Sequence, residues 1–537
     1  MSDVVQRVAD VVAGPLGVAW IERSARGVVV ASTVTALGCA DVTPAWARPG
    51  NGGVLAMGSS CLWVLCVDGS VVRVVPGRGI EHVATVPGVR WIAGSPAGAM
   101  VAVVSDARVV VFDDQARLVN VVDLGRLGVS DLWDVAVDDD GSIALARAGE
   151  REPWLTGSVM LLDPTGAIAG NFGGDGASVV EPRFGPGGLW VRDDRAGAHV
   201  PVLAGRVPQI AGLDYDVGEY PLGPGRRGYI PDSEAVLGVI ASVEAPALVV
   251  LDERLRRVAS GSWTSISAID GDVVGIERGP WSERVRRGSE TLRQAGSDGV
   301  DGSRIEPLGA LGLAARGVAI WPPVPRGVAL VVHGGPVEQV AFPVPDKWRR
   351  ALRHGLVVVA VDYPGSYGYG RSARERIVGR FGTVESEALA EVVRGFEGVV
   401  AGPRVGIGAS SAGWTLLQLI LEDPTLLDAL VLTNPLLDPS ALGDVDWLVG
   451  QDAPHLAHRR PRRRIPVLIT HGSADRVVPV EQSRAFVERV GESLACELQV
   501  AEGEGHSLGE RASLEELARF DALVLGLLAS WSELRSR

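Results

Sequence analysis

The sequence contains little that would place it in an oxidising compartment or a membrane. Its 537 residues include only four cysteines, Cys39, Cys61, Cys66 and Cys496, with neither CxxC nor metal-ligand spacing. This excludes a disulfide scaffold, and we interpret the cysteines as small buried hydrophobic residues. No apolar run approaches the roughly 18 residues that would suggest a membrane span, so no membrane partner is predicted.

An excess of positive charge is also absent. The 51 lysines and arginines face 65 aspartates and glutamates, for a net charge of −14. This balance repels phosphate backbones, so nucleic acid is not expected as a partner. The first residues carry Asp3 and Asp10 and no continuous apolar stretch, which argues against a secretory signal. A single lysine, Lys347, beside many arginines is typical of a GC-rich bacterial genome. We therefore expect a bacterial, cytoplasmic protein.

The chain is too long for one hydrophobic core. Single cores stop growing at roughly 250–300 residues, so at least two domains are expected. Hydrophobic residues make up 46% and charged residues 22%, which excludes extended disorder.

Residues 15–304 show short runs of β-branched alternation separated by turn signals such as DG and SPAG. Trp20, Trp63, Trp91 and Trp133 begin or sit inside such hairpins, and pairs of them are separated by about 42 residues, the length of one four-stranded blade. The pattern predicts a β-propeller of roughly seven blades. A large array of β-sandwiches is the alternative.

Residues 1–14 show a different pattern. Val4, Val8, Val11 and Val12 share one helical face behind Ser2 as a cap. This spacing predicts a short amphipathic N-terminal helix.

Residues 305–537 alternate apolar strand-like runs, such as VALVVHG and PVLITHG, with amphipathic helical segments. Near-continuous apolar strands separated by helices are typical of a parallel sheet covered on both faces. We predict an α/β-hydrolase domain with a mostly parallel, doubly wound sheet.

The strand RVGIGA runs directly into SSAG and then into a helix. A serine flanked by small residues on such a strand-to-helix turn indicates a nucleophile elbow. Two registers fit. Ser411 has Ala409 and Gly413 two residues on either side, whereas Ser410 has Gly408 and Ala412. Glycine at +2, followed by a large residue that opens the helix, favours Ser411, and a serine that only caps the helix is the structural alternative.

Two further residues follow later strands. Asp475 lies after the strand PVLIT, and His506 lies after CELQVAEG. Open α/β sheets build their sites at strand carboxyl ends, and the order Ser, Asp, His is that of the α/β-hydrolase triad. We therefore predict Ser411, Asp475 and His506 as the catalytic residues.

An oxyanion site is expected from the HGGP segment, residues 333–336, because glycines let backbone N–H groups approach a ligand. We predict the N–H groups of Gly335 and Ala412 as the donors. His333 and His471 are interpreted as residues that support loops.

These motifs, together with DYPGSYGYGR (362–371), HGSADRVVPVEQS and EGEGHSL, resemble the prolyl oligopeptidase family of serine peptidases, in its acylaminoacyl-peptidase and dipeptidyl-peptidase branches. The resemblance covers about residues 328–510. It implies an N-terminal β-propeller that filters substrates by size, and it gives the triad and oxyanion roles to the residues named above. No glutamate pair can be assigned to a peptide N-terminus, so aminopeptidase, dipeptidyl-peptidase and endopeptidase modes stay open.

The sequence thus predicts a serine peptidase that cleaves short peptides or acylated amino acids through an acyl-enzyme, with no cofactor and no metal. A peptide cyclase, a ligase or an esterase could use the same triad. A non-catalytic propeller protein with a vestigial hydrolase domain is the other alternative. The propeller and hydrolase surfaces are compatible with a homodimer.

Overall fold

The architecture is described from a computed structural model. The described residues are 5–24, 27–33, 42–45, 53–149, 155–174, 176–208, 213–218, 228–231, 236–252, 254–296, 299–300, 302–439, 446–449, 462–491 and 493–536. Cys39 lies outside them. The chain divides into two compact units, Met1–Asp298 with Gly368–Arg371, and Gly299–Tyr367 with Ser372–Arg537.

The described part of the first unit contains seven antiparallel sheets of three or four strands. The first three sheets comprise β1 (Val5–Gly14), β2 (Gly17–Ser24) and β3 (Gly27–Ser32); β4 (Leu55–Met57), β5 (Leu62–Leu65), β6 (Ser70–Val75) and β7 (Gly79–Thr85); and β8 (Val89–Gly94), β9 (Met100–Ser105), β10 (Arg108–Asp113) and β11 (Leu118–Asp123). The next two comprise β12 (Leu132–Val137), β13 (Ile143–Ala148), β14 (Gly157–Leu162) and β15 (Ile168–Phe172); and β16 (Val179–Gly185), β17 (Gly188–Asp193) and β18 (Val200–Leu203). The last two comprise β19 (Tyr229–Ile230), β20 (Val236–Ile240), β21 (Ala247–Leu251) and β22 (Leu255–Ser260); and β23 (Ser262–Ile269), β24 (Asp272–Arg278), β25 (Ser282–Arg287) and β26 (Glu290–Gly296).

Apolar clusters lie between neighbouring sheets of this unit. The cluster that joins the first sheet to the last contains Val8 and Val11 of β1 together with Ile276 of β24 and Val285 of β25. This contact closes the seven sheets into a ring, which removes the open flank of each terminal sheet. The prediction of a propeller of about seven blades is confirmed.

The helix predicted over residues 1–14 is wrong, because Val5–Gly14 forms strand β1, antiparallel to β2. Both faces of β1 are apolar: Val8 and Val11 pack toward the last sheet, whereas Ala9 and Val12 pack toward the second. A register irregularity between Ala9 and Val12 also interrupts the two-residue alternation of the strand. Together these two features give valines the spacing of a helix face.

The second unit is built on one eight-stranded mixed sheet in the order β27-β28-β30-β29-β31-β32-β33-β34, mostly parallel. The strands are β27 (Arg304–Pro307), β28 (Arg316–Trp321), β29 (Gly327–Val332), β30 (Leu356–Asp362), β31 (Arg404–Ala409), β32 (Ala429–Thr433), β33 (Pro466–Gly472) and β34 (Ala495–Ala501). The pairs β27–β28 and β28–β30 are antiparallel, and the other neighbouring strands of this sheet pair in parallel. The predicted hydrolase-type sheet is confirmed.

Helices connect these strands. They are α1 (Asp346–Arg353), α2 (Arg371–Arg374), α3 (Thr383–Gly395), α4 (Ala412–Glu422), α5 (Asp446–Val449), α6 (Val480–Val490) and α7 (Glu510–Ser536), with short 3-10 helices at Leu308–Leu311 and Glu375–Ile377. None of the helices in the described ranges is long and apolar enough to cross a membrane.

The strand order places a switch point beside β29. The chain runs from β29 to β30 on one side and then returns to β31 on the other, so β29 pairs directly with both. In doubly wound sheets the ligand site lies at the carboxyl ends of the strands next to such a point.

Candidate active site

Four parallel neighbours, β29 and β31 to β33, end at one edge of the sheet, with β34 beside them. Val332 at the end of β29 pairs with Gly408 of β31, and Gly472 at the end of β33 pairs with Ala501 of β34. The segments that follow these strands therefore emerge at a common edge. They contain every residue that the sequence predicts for the site.

His506 and Asp475 form a hydrogen-bonded pair at this edge. The Nδ1 atom of His506 lies 2.7 Å from Oδ2 of Asp475. The Asp475 side chain is fully buried, and its Oδ1 accepts the backbone N–H groups of Val477 and Val478 at 2.8 and 2.9 Å. These donors hold the carboxylate in position. When the Nδ1–H of His506 donates to Asp475, Nε2 is left to accept a proton.

Asn434, which the sequence analysis did not identify, holds the His506 loop in place. Its Nδ2 donates to the backbone carbonyl of His506 at 2.7 Å, and its Oδ1 accepts the N–H of Gly472 at 2.8 Å. The residue is buried and has a φ of 43°, a conformation that asparagine tolerates better than most residues. Its position immediately after β32, at the edge shared by the other site residues, is the signal that would have identified it.

The two adjacent serines at the elbow have different backbone conformations. Ser410 follows β31 with a φ of 53°, in the left-handed region, and is partly exposed. Ser411 has helical angles, is 3% exposed and precedes α4. A nucleophile elbow holds its serine in a strained conformation with the hydroxyl exposed above the sheet. The backbone geometry therefore favours Ser410 over the predicted Ser411 as the serine of the elbow.

The small residues around the turn support the same register. A Cβ added to Gly408 would lie 2.8 Å from the Cβ of Ala412, which is closer than real Cβ contacts. Gly408 and Ala412 stand two residues before and two residues after Ser410, where a nucleophile elbow needs small side chains. Gly413, on which the preference for Ser411 rested, has a different role: a Cβ there would lie 2.5 Å from the Cβ of Pro435. It is needed for helix packing.

The loop after β29 is fixed by His333. Its Nε2 lies 2.7 Å from the Ser366 hydroxyl, its Nδ1 lies 2.6 Å from the carbonyl of Gly334, and its ring stacks on Tyr363 with 4.2 Å between centroids. Burial lowers the His333 pKa to about 4, so the ring is neutral at pH 7. Burial also raises the pKa of Tyr363 well above its usual value. The Ser411 hydroxyl is buried and has no hydrogen-bond partner among the described residues.

The glycines of this loop lie against Ser410. A Cβ on Gly334 would be 3.4 Å from the Ser410 Cβ. Gly335 has a φ of 126°, and a Cβ there would lie 2.5 Å from the backbone nitrogen of Val337, so only glycine fits. Among the hydrogen bonds of the described residues, none uses the N–H of Gly335 or of Ser411. Both groups are available to donate to an oxyanion; if Ser410 is the nucleophile, the residue that follows it, and so the expected second donor, is Ser411 instead of the predicted Ala412.

His471 lies next to the pair, with its Nε2 3.5 Å from Oδ2 of Asp475. Its Nδ1 contacts the Ser483 hydroxyl at 2.8 Å, and its Nε2 contacts the carbonyl of Val478 at 2.9 Å. The side chain is fully buried, and burial lowers its pKa. These contacts fix the loop that carries Asp475, in agreement with a supporting role. In the described ranges, no group of three or more histidines, cysteines or carboxylates is arranged to hold a metal ion.

Comparisons with known proteins agree with this architecture. Residues 346–529 match the model of the prolyl oligopeptidase family. A puromycin-hydrolyzing peptidase of Mycobacterium tuberculosis is 21% identical in sequence; the alignment covers 97% of this chain and 94% of that one, with a TM-score of 0.75. Dipeptidyl peptidase 4 of Porphyromonas gingivalis is 14% identical, with 97% of both chains covered and a TM-score of 0.64.

A prolyl endopeptidase is 12% identical, with 98% of this chain and 90% of that one covered and a TM-score of 0.70. These likenesses show a shared fold. None of the curated proteins matches the sequence significantly. The segment that matches the family model lies within the second unit, which also carries the elbow, the His506–Asp475 pair and the glycine loop (residues 333–336). The second unit therefore contains a segment that is similar to the prolyl oligopeptidase family.

Proposed function

We propose that the chain cleaves amide bonds of short peptides or aminoacyl compounds, with Ser410 as nucleophile, His506 as general base and acid, and Asp475 as the residue that orients His506. The observation that carries this proposal is the strained, partly exposed Ser410, which lies against Gly334 and follows β31 at the same sheet edge as the His506–Asp475 pair. The triad was predicted with Ser411, and the proposal replaces that residue with its neighbour.

The reaction begins when Nε2 of His506 removes the proton from the Ser410 hydroxyl. The oxygen of Ser410 attacks the substrate carbonyl, and the resulting oxyanion accepts the N–H groups of Gly335 and Ser411. His506 then gives its proton to the leaving amine, the C–N bond breaks, and an acyl-enzyme remains. Water enters, loses a proton to His506 and releases the acid, which restores Ser410. Asp475 stabilises the imidazolium in both halves of the reaction.

Two of the similar structures are described by their substrates or ligands. One neighbour hydrolyses puromycin, and a puromycin hydrolase variant was crystallised with a compound designated PGG. We propose small amides of this kind as substrates and retain the size filter that the family resemblance implies for the propeller. The filter predicts turnover of tripeptides and no turnover of an unfolded protein of 100 residues or more.

Paired serine variants test the proposal. Ser410→Ala is expected to lower kcat on peptide amides by about 10⁶-fold, whereas Ser411→Ala is expected to stay within about tenfold of the wild type. Circular dichroism and melting temperature serve as controls for folding. Loss of activity in folded Ser411→Ala, with activity retained in Ser410→Ala, would contradict the assignment.

A further inference from the structure

The glycine loop continues into a carboxylate that the reaction above does not use. Glu338 follows the HGGP segment by two residues and is exposed. The turn at Gly335 brings it back toward the loop, since a Cβ on Gly335 would lie 2.6 Å from the Glu338 nitrogen. The Glu338 carbonyl also accepts the N–H of Tyr367 at 3.0 Å, which fixes the backbone at this point.

The Glu338 carboxylate lies beside the nucleophile. The position that a Cβ on Gly334 would occupy is 3.6 Å from Oε2 of Glu338 and 3.4 Å from the Cβ of Ser410. The negative charge acts within the site. Burial is the largest cause of the raised pKa of Tyr363, and the charges of Glu385 and then Glu338 raise it further. An acidic group therefore borders the space in which the scissile carbonyl must sit.

Within the described ranges this carboxylate is unpaired. In the part of the chain that the structure describes, no side chain or backbone group forms a hydrogen bond or an ion pair with it. A substrate that covers the site removes water from Glu338, and an isolated carboxylate loses free energy when its water is removed. The substrate must therefore bring a cation, or binding is weakened.

We propose that Glu338 binds the α-ammonium group of the residue whose carbonyl is attacked, and that the enzyme is an aminopeptidase for unblocked aminoacyl compounds. This inference rests on the proposed function and selects one of the three modes that the sequence left open. The nitrogen of that residue is separated from the carbonyl carbon by one Cα, about 2.5 Å away. The carbonyl carbon in turn approaches the Ser410 hydroxyl to about 3–3.5 Å before attack. The Glu338 carboxylate is within reach of an ammonium group at that position.

The contact also predicts which substrates are rejected. An N-acyl group replaces the ammonium with a neutral amide and leaves Glu338 without a cation. A dipeptidyl substrate moves the ammonium one residue, about 3.8 Å, farther from the reacting carbon. Both changes are expected to lower kcat/KM relative to the free aminoacyl amide, chiefly by raising KM.

The test compares phenylalanine p-nitroanilide with its N-acetyl derivative. The ratio of kcat/KM for the free and the acetylated compound is expected to exceed one for the wild type and to fall roughly 10- to 100-fold in Glu338→Gln, the range for loss of one charged hydrogen bond. The matched control is Glu391→Gln, which changes an exposed carboxylate on α3 and is expected to leave the ratio unchanged. The wild-type KM for the free amine is also expected to rise above about pH 8, where the ammonium loses its proton.

A ratio that is equal in Glu338→Gln and in the wild type overturns the inference, and so does a wild type that prefers the acetylated compound. A fluorophosphonate probe separates this failure from failure of the proposed function. A wild type that reacts with the probe but shows no dependence on Glu338 retains the function and loses the inference. A wild type that neither reacts nor hydrolyses either compound refutes both.

Discussion

Gly408 and Ala412 face each other across the turn that carries Ser410, at a separation that leaves no room for another methyl group. A Cβ on Gly408 would come to 2.8 Å from the Ala412 Cβ and equally close to the side chain of Leu416. The tight packing of β31 against α4 holds Ser410 in its left-handed conformation. The identity of the nucleophile is therefore linked to the packing of its neighbours.

This packing predicts opposite effects for two glycine-to-alanine changes. Gly408→Ala is expected to lower the free energy of unfolding of the catalytic domain by about 1–3 kcal/mol, because the added methyl group overpacks the turn. Gly526→Ala, on α7 with no atom within 4 Å of the new Cβ, is expected to raise it by about 0.5–1 kcal/mol through helix propensity. Thermal and urea unfolding measure both. An equal effect of the two changes would refute the packing argument.

Replacing Asp475 with asparagine exchanges one carboxylate oxygen for an amide nitrogen and tests whether the residue orients His506. Asp475→Asn cannot accept both the His506 Nδ1–H and the N–H groups of Val477 and Val478, because one of its two acceptors becomes a donor. His506 is then held in the wrong tautomer, and kcat is expected to fall by about 10⁴-fold. Steady-state kinetics on a peptide amide measure the loss, with the melting temperature as a control. A kcat within tenfold of the wild type would show that Asp475 does not orient the base.

Much of the fold follows from local sequence patterns. Alternating β-branched runs with turn signals identified the blades, and apolar strands alternating with amphipathic helices identified the sheet of the second unit. Strand β1 was missed because it is buried on both faces and irregular in register, so its valines have helical spacing. Spacing alone does not distinguish these cases.

The structure brings the predicted Asp475 and His506 together, whereas its backbone geometry favours a different serine from the predicted one. The positions of Asp475 and His506 follow from their places after strands, which is a property of sequence order. The choice between Ser410 and Ser411 depends on a backbone angle and on which small residues touch across the turn. Neither property can be read from a segment in which every residue from Gly408 to Gly413 is small. Asn434 and Glu338 contact residues distant in sequence, and those contacts exist only in the folded chain.

Asn434 is expected to position the loop that carries His506. Asn434→Ala removes the hydrogen bonds to the His506 carbonyl and from the Gly472 N–H, and the loop that carries His506 is expected to shift. We expect kcat to fall roughly 10- to 100-fold with little change in KM, as for a small misplacement of a catalytic group. Asn434→Gly accepts the φ of 43° without strain and lacks both bonds, so it isolates their contribution. A wild-type kcat in the glycine variant would contradict the role.

The buried Glu385 is expected to make the free energy of unfolding depend on pH. Burial raises its pKa to about 8, and its Oε2 accepts the N–H of Gly382 at 2.7 Å. Between about pH 4.5 and pH 8 the folded state keeps the proton that the unfolded state loses, so stability falls as pH rises through this window. Glu385→Gln is expected to match the wild type near pH 4 and to exceed it by on the order of 2–4 kcal/mol at pH 8.

Unfolding of the catalytic domain at both pH values measures the difference. Glu387→Gln, on the exposed side of the same helix, is the control and is expected to change stability by less than about 0.5 kcal/mol. Parallel pH curves for Glu385→Gln and the wild type would show that Glu385 is ionised in the folded state.

The assignment of Ser410 as nucleophile is tested most directly by labelling the protein with a fluorophosphonate and locating the adduct by fragmentation of the peptide that contains both serines. The probe reacts with an activated serine whatever the natural substrate is. We predict one adduct per chain, on Ser410, retained in Ser411→Ala and absent from Ser410→Ala and from His506→Ala. An adduct on Ser411 that persists in Ser410→Ala would contradict the assignment of Ser410 as the nucleophile.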